Sequence, residues 1–153
     1  MAKKKREYPL VPIQKVVLVK DKSVECPITI NNAFTASVLA KVLTEGSPDE
    51  SLIVICLDNQ HKVLFAQVIA TGAPDNVAFT PAQVFRAAIV SNAAGIIVAH
   101  NHPSGKLELS SIDRSTFEAI QAAGKVLGIG VLDFLVVTDA PGYASAWTGV
   151  EHE

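Results

Sequence analysis

Long apolar runs are missing from this chain. None approaches the roughly eighteen residues a membrane-spanning helix needs, although 49% of the 153 residues are hydrophobic. A membrane span is therefore excluded, and no membrane partner is expected. Charge is also scarce, at 18%, which suits one compact domain with a sizeable core. A basic excess is lacking too. Four of the 13 Lys and Arg are Lys3, Lys4, Lys5 and Arg6, so the remaining nine face 15 acidic residues and the body carries about −6. A duplex-binding domain displays a clustered basic face, so nucleic acid is only weakly supported as a partner. Residues 1–14 read as a flexible, solvated basic tail, and residues 15–150 as a single domain. "MAKKKREYPLV" has no apolar segment after its basic patch and is no secretion signal. Cysteine is limited to Cys26 and Cys56, without paired spacing. Cys56, inside "LIVICL", reads as a small buried hydrophobe, and the chain as cytoplasmic with reduced thiols.

The residues present alternate between strand and helix patterns. "KVVLVK" (15–20) predicts a first strand. "NNAFTASVLAKVLTEG" (31–46) predicts a helix capped by Asn31 or Asn32, with Phe34, Val38 and Val42 on one face and Gly46 as its stop. Two apolar runs around "DNQH" (51–72) predict a hairpin. Thr80, Pro81 and Gln83 form a capping box with proline at the first helical position, opening a helix over 80–92. "GIIVA" (95–99) is a central strand buried on both faces. A helix follows from about Ser110 to Gly128, with Ile112, Thr116, Ile120, Ala123 and Leu127 as its inner stripe. "VLDFLVV" (131–137) is the next strand, and "YASAW" (143–147) a last edge strand. The expected fold is α/β, a mixed β-sheet flanked by helices.

The chemistry concentrates in "AHNHPSGKLELSSID" (99–113). The strand delivers His100 to its C-terminal end, where ligand crevices form in α/β sheets. His102, two residues on in extended chain, points the same way. Pro103 and Gly105 turn the chain so that the next helix starts nearby. Asp113 lies in that helix's first turn, three residues after Ser110. Two imidazoles and one carboxylate would leave a fourth tetrahedral position for water, the pattern of a catalytic zinc. Ser110-x-x-Asp113 also fits an ordinary capping box, and the two roles are compatible, since a cap would orient a ligand.

The pattern His-x-His, seven residues, Ser, two residues, Asp resembles the JAMM signature of the JAB/MPN metallopeptidases. "HNHPSG", with "TPAQVFRAAIVSNAAGIIVA" before it and "LGIGVLD" after it, resembles the RadC branch over residues 48–149. The resemblance implies a cytidine-deaminase-like α/β fold and a zinc ion on His100, His102 and Asp113. It also implies a glutamate general base just before a strand ending in Leu-Asp. In "DESLIVICLD" that is Glu50, with Asp49 as the alternative one residue away. Hydrolysis of an amide bond follows as the reaction class: the zinc lowers the pKa of its water, Glu50 takes the proton, and Ser110 donates to the oxyanion.

Departures from the RadC pattern fall at Phe134, where His is usual, at Leu109, where Pro is usual, and at Ala82, where Arg is common. None is an expected ligand; they bear on substrate contacts and loop rigidity. The chain also looks too short for the helix-hairpin-helix segment of longer RadC proteins. The contiguous letters "HNH" do not make an HNH nuclease, whose residues are dispersed. A zinc deaminase needs a Pro-Cys-x-x-Cys ligand pair, which Cys26 and Cys56 do not supply. The alternative from another class is a metal-binding module of DNA repair or mobile-element biology without peptidase activity. The expected partner of the enzyme is a peptide or protein, with a ubiquitin-like conjugate as one form; a homodimer is compatible with the sequence.

Overall fold

The computed structural model describes residues 15–72 and 79–152; the basic tail, 1–14, lies outside the described residues. Nine elements follow in order: α1 (Ala33–Thr44), β1 (Glu50–Leu57), β2 (Val63–Gly72), α2 (Pro81–Val90), β3 (Gly95–Asn101), α3 (Ser111–Leu127), β4 (Gly130–Val137), β5 (Tyr143–Ser145) and β6 (Val150–His152). The strands form one sheet in the order β2-β1-β3-β4-β5-β6. β3 and β4 run parallel, joined through α3, and the other neighbours are antiparallel. The sheet is therefore mixed and flanked by helices. Among the described residues no helix is long and apolar enough to cross a membrane.

The strand sequences explain why the sheet is covered on both sides. Every residue of β1 and of β3 is buried, and alternate residues serve opposite faces. Leu52, Val54, Cys56, Ile96, Val98, Phe134 and Val136 pack against Val84 and Phe85 of α2 and Phe117 and Ile120 of α3. Ile53, Ile55, Leu57, Ile97, Ala99, Leu135 and Val137 pack against Ala36, Leu39 and Ala40 of α1. The hairpin and the two capping boxes stand where the sequence puts them. Asn32 is the cap of α1, accepting from the Thr35 amide at 2.8 Å, and Gly46 (φ +69°) takes the left-handed turn beyond its end.

Four local expectations are corrected. Residues 15–20 form no strand: Val16 to Val19 are all more than half exposed, because β-propensity makes a strand only where a partner edge is taken up. The buried face of α1 is Ala36, Leu39 and Ala40, while Phe34 is 62% exposed and Val42 39%. Small alanines let the helix backbone approach the sheet, and Phe34 is left to meet Tyr143 at the rim. Of the expected α3 stripe, Ile120 is buried and Ala123 packs against the core, but Ile112 is 71% and Leu127 45% exposed; the other inward positions are Asp113, Phe117 and Gly124. Finally, β5 is not the sheet edge, because β6 pairs outside it.

Candidate metal centre

Three chain segments meet at one end of β3. Leu52 and His100 are cross-strand partners, so they share a face of the sheet. Glu50, two residues before Leu52, and His102, two after His100, fall on that same face. It is the face covered by α3, whose first turn carries Asp113. Antiparallel pairing thus brings the start of β1 to the end of β3, although the two lie far apart in sequence.

The resulting geometry is tight. His100 Nε2 lies 2.7 Å from His102 Nε2, 3.5 Å from Glu50 Oε1 and 3.4 Å from Asp113 Oδ1. Glu50, His100 and His102 offer ligand atoms all within 4.8 Å of one another, a set that could hold a metal ion. His100, Glu50 and Asp113 are all buried. Behind His100, Phe134 packs edge-on with ring centroids 5.1 Å apart. A cavity of about 420 Å³ opens in front, with Glu50, His100, His102, Ser110 and Asp113 as its polar wall and Leu52, Phe79, Ile112 and Phe134 as its apolar one.

Hydrogen bonds fix the donor atoms. His102 Nδ1 lies 2.8 Å from the Lys106 carbonyl. That oxygen can only accept, so Nδ1 carries the proton and Nε2 presents its lone pair to the site. Burial pushes His100 down to about 4; the Asp113 charge acts upward and His102 downward. The imidazole is therefore neutral near pH 7. Asp113 Oδ2 accepts from the Ser110 amide at 2.8 Å and from the Ser110 hydroxyl at 2.7 Å. Ser110 Oγ accepts in turn from the Asp113 amide at 3.1 Å. The cap thus engages Oδ2 and turns Oδ1 toward His100.

A family model for the RadC-like JAB domain matches residues 30–150. The chain belongs to the RadC-like JAB domain family. It is also 40% identical over 89 residues to a protein of Thermotoga maritima called UPF0758 protein, a match covering 58% of this chain and 40% of that one. The chain thus spans under half the length of the curated relative it matches. Within this RadC-like JAB domain, the structure brings Glu50, His100, His102, Ser110 and Asp113 to one cavity. Asp49 is exposed and does not line it.

Two neighbours of the cavity carry roles that residue-type reasoning did not assign. Phe134 is the wall behind His100, which the pairing of β3 with β4 decides (Val98 opposite Phe134). Asn101, between the histidines, contacts the backbone on both sides of Glu50, and only the β1–β3 register could have revealed it. Neither cysteine contributes: both are free thiols, and burial pushes Cys56 up to about 12 against a weaker opposing hydrogen bond from Ser91.

Proposed function

We propose that this domain is a zinc-dependent amide hydrolase, a metallopeptidase or isopeptidase, with His100, His102 and Asp113 as ligands and Glu50 as general base. The observation that carries the reading is the placement of two carboxylate oxygens about His100 Nε2, at 3.5 and 3.4 Å. Groups bound to one tetrahedral zinc at 2.0–2.1 Å stand about 3.3 Å apart, so each carboxylate oxygen stands at the spacing of a co-ligand of His100. The set whose ligand atoms all lie within 4.8 Å of one another is Glu50, His100 and His102, without Asp113, so Asp113 would have to move toward His102 to join the ion. The two Nε2 atoms, at 2.7 Å, would part by about 0.6 Å to reach the same spacing.

Bound zinc would supply Lewis acidity and a water acidified toward pH 7. The chain's own groups do the rest. The Lys106 carbonyl holds His102 in the ligating tautomer, and Ser110 holds Asp113 by two donors to Oδ2. Glu50, buried at the cavity wall, accepts the proton of the attacking water and returns it to the leaving amine. The Ser110 hydroxyl reaches a developing oxyanion only by turning away from Asp113 Oδ2, while its backbone amide keeps that carboxylate in place. The apolar wall of Leu52, Phe79 and Ile112 receives the substrate beside the scissile amide.

Glu50→Gln is the direct test. Zinc content and melting temperature should match wild type, while hydrolysis of linear peptides and of ubiquitin-like isopeptide conjugates should fall roughly 100-fold or more. His100→Ala should lose the zinc. Equal zinc in wild type and His100→Ala would overturn the site.

One observation favours a second reading. Glu50 Oε1 stands as near His100 as Asp113 Oδ1 does, and two histidines with two carboxylates would close a tetrahedral site and exclude water. Such a centre suits a non-hydrolytic RadC-type module. Glu50→Gln would then cost most of the metal affinity, and wild type would cleave neither substrate form.

A further inference from the structure

We propose that Asn101 is a positioning residue for Glu50, acting as a side-chain splice where the β1–β3 ladder ends. The regular pairing of these strands runs from Leu57 opposite Gly95 to Leu52 opposite His100. Beyond His100 the backbone of β3 turns to its other neighbour: Asn101 pairs with Val137 of β4, and the His102 amide donates to the Val137 carbonyl at 2.8 Å. The start of β1 would lose its partner at this point. The Asn101 side chain takes over. Its Oδ1 accepts from the Ser51 amide at 2.7 Å, and its Nδ2 donates to the Asp49 carbonyl at 3.1 Å.

These two bonds bracket Glu50. One carboxamide replaces the peptide group the ladder no longer provides, offering an acceptor and a donor as a backbone unit would. Only one orientation of the amide satisfies both contacts. The side chain is buried, at 6% exposure, so the bonds are shielded from competing water. On its other side the segment is held by β2, with Glu50 opposite Gly72. Glu50 is thereby fixed at the backbone from two directions, by the residue that lies between the two histidines. The spacing of base and ligands is set through one side chain instead of a loop.

The inference rests on the proposed role of Glu50 at the metal centre. Its value is in catalytic precision, because a misplacement of about 1 Å can cost on the order of 100-fold in rate. Asn101 does not line the cavity. Replacing it should therefore act through Glu50, whose flanking backbone it holds.

A double-mutant cycle on the full chain tests this, with Asn101→Ala and Glu50→Gln singly and together. The first readout needs no substrate: titration with Co²⁺, following affinity and the visible absorption band. Asn101→Ala should shift the band in the direction of Glu50→Gln, leave the affinity as that variant leaves it, and add nothing once residue 50 is Gln. The second readout is amide hydrolysis. Asn101→Ala should lower kcat roughly 10- to 100-fold, the scale of outer partners of metal sites, with KM unchanged and no further loss in the Glu50→Gln background. Asn101→Thr, whose hydroxyl can replace one of the two bonds and which suits a strand, should fall between and serves if the alanine variant does not fold. Equal effects of the Asn101 substitution in both backgrounds would overturn the inference and make Asn101 a general prop of the strand. Absence of hydrolysis in wild type with a non-additive Co²⁺ cycle would uphold the inference and refute the hydrolase reading.

Discussion

Ser110→Ala separates two jobs that the same hydroxyl could perform. Ser110 Oγ accepts from the Asp113 amide, capping α3, and donates to Asp113 Oδ2. Loss of the cap costs about 1 kcal/mol. Loss of the bond to the carboxylate, at a partly buried position, adds up to about 1 kcal/mol more. For a domain of this size each kcal/mol lowers the melting temperature by about 2–4 °C, so the variant should melt roughly 2–8 °C below wild type. The Ser110 amide still holds Oδ2 at 2.8 Å, so Asp113 keeps one of its two restraints. Zinc affinity should then fall by about tenfold, at the low end for an outer partner of a metal site. Differential scanning calorimetry of the metal-free protein and competition titration against a zinc chelator measure the two effects. If melting temperature and zinc affinity were both unchanged while hydrolysis dropped 100-fold, the hydroxyl would be serving the oxyanion, and the assignment of its proton to Asp113 would be refuted.

Other substitutions probe the frame of the site. Gly124→Ala should destabilise by about 1–3 kcal/mol despite the better helix propensity of alanine. A Cβ there would lie 2.6 Å from the Ile129 carbonyl oxygen and 2.7 Å from Val131 Cγ2, and urea unfolding gives the sign. Burial raises Asp133 above the usual carboxylate range, against hydrogen bonds from Ser145, Trp147 and Phe134 and the charge of His152. Between the ordinary and the raised value the folded state therefore binds more protons than the unfolded one, and stability is lost as pH rises through that window. Asp133→Asn keeps an acceptor for the Phe134 and Trp147 amides and removes the titration. Its melting temperature should be flat across that window and at neutral pH no lower than wild type. A drop of several degrees at pH 7 would show that the charge is needed.

What the sequence disclosed, and what it hid, follows from the range of each signal. Caps and hairpins are local chemistry: Thr80 with Gln83 and Ser110 with Asp113 form their boxes within one turn, and β1 and β2 flank their own turn. The histidine pair was legible because period two in a strand fixes its direction. The stripe of α3 is legible only in part, at Ile120 and Ala123, because its inward positions include a carboxylate and a glycine, Asp113 and Gly124, which a search for apolar side chains passes over. Asp113 faces inward because its cap with Ser110 engages Oδ2 and leaves Oδ1 toward His100, and Gly124 because the Ile129 carbonyl leaves no room for a side chain. Val16 to Val19 show the converse, strand-forming residues without an edge to join. Glu50 was placed by resemblance alone, since only the pairing of β1 with β3 brings it to His100.

The central place of β3 bears on how this molecule breathes. Its amides bond to β1 on one side and β4 on the other, and helices cover both faces. Hydrogen exchange at Ile97 to Ala99 should require global opening, whereas β6 and the far ends of β2 can fray by themselves. His100 is mounted on the last part of the protein to open, and Glu50 at the point where that cooperative unit begins to give way. Ageing, heat or a weakening substitution elsewhere would thus disturb the carboxylate before it disturbs the His100 imidazole. On the proposed mechanism, the proton acceptor would be lost while His100 was still in place.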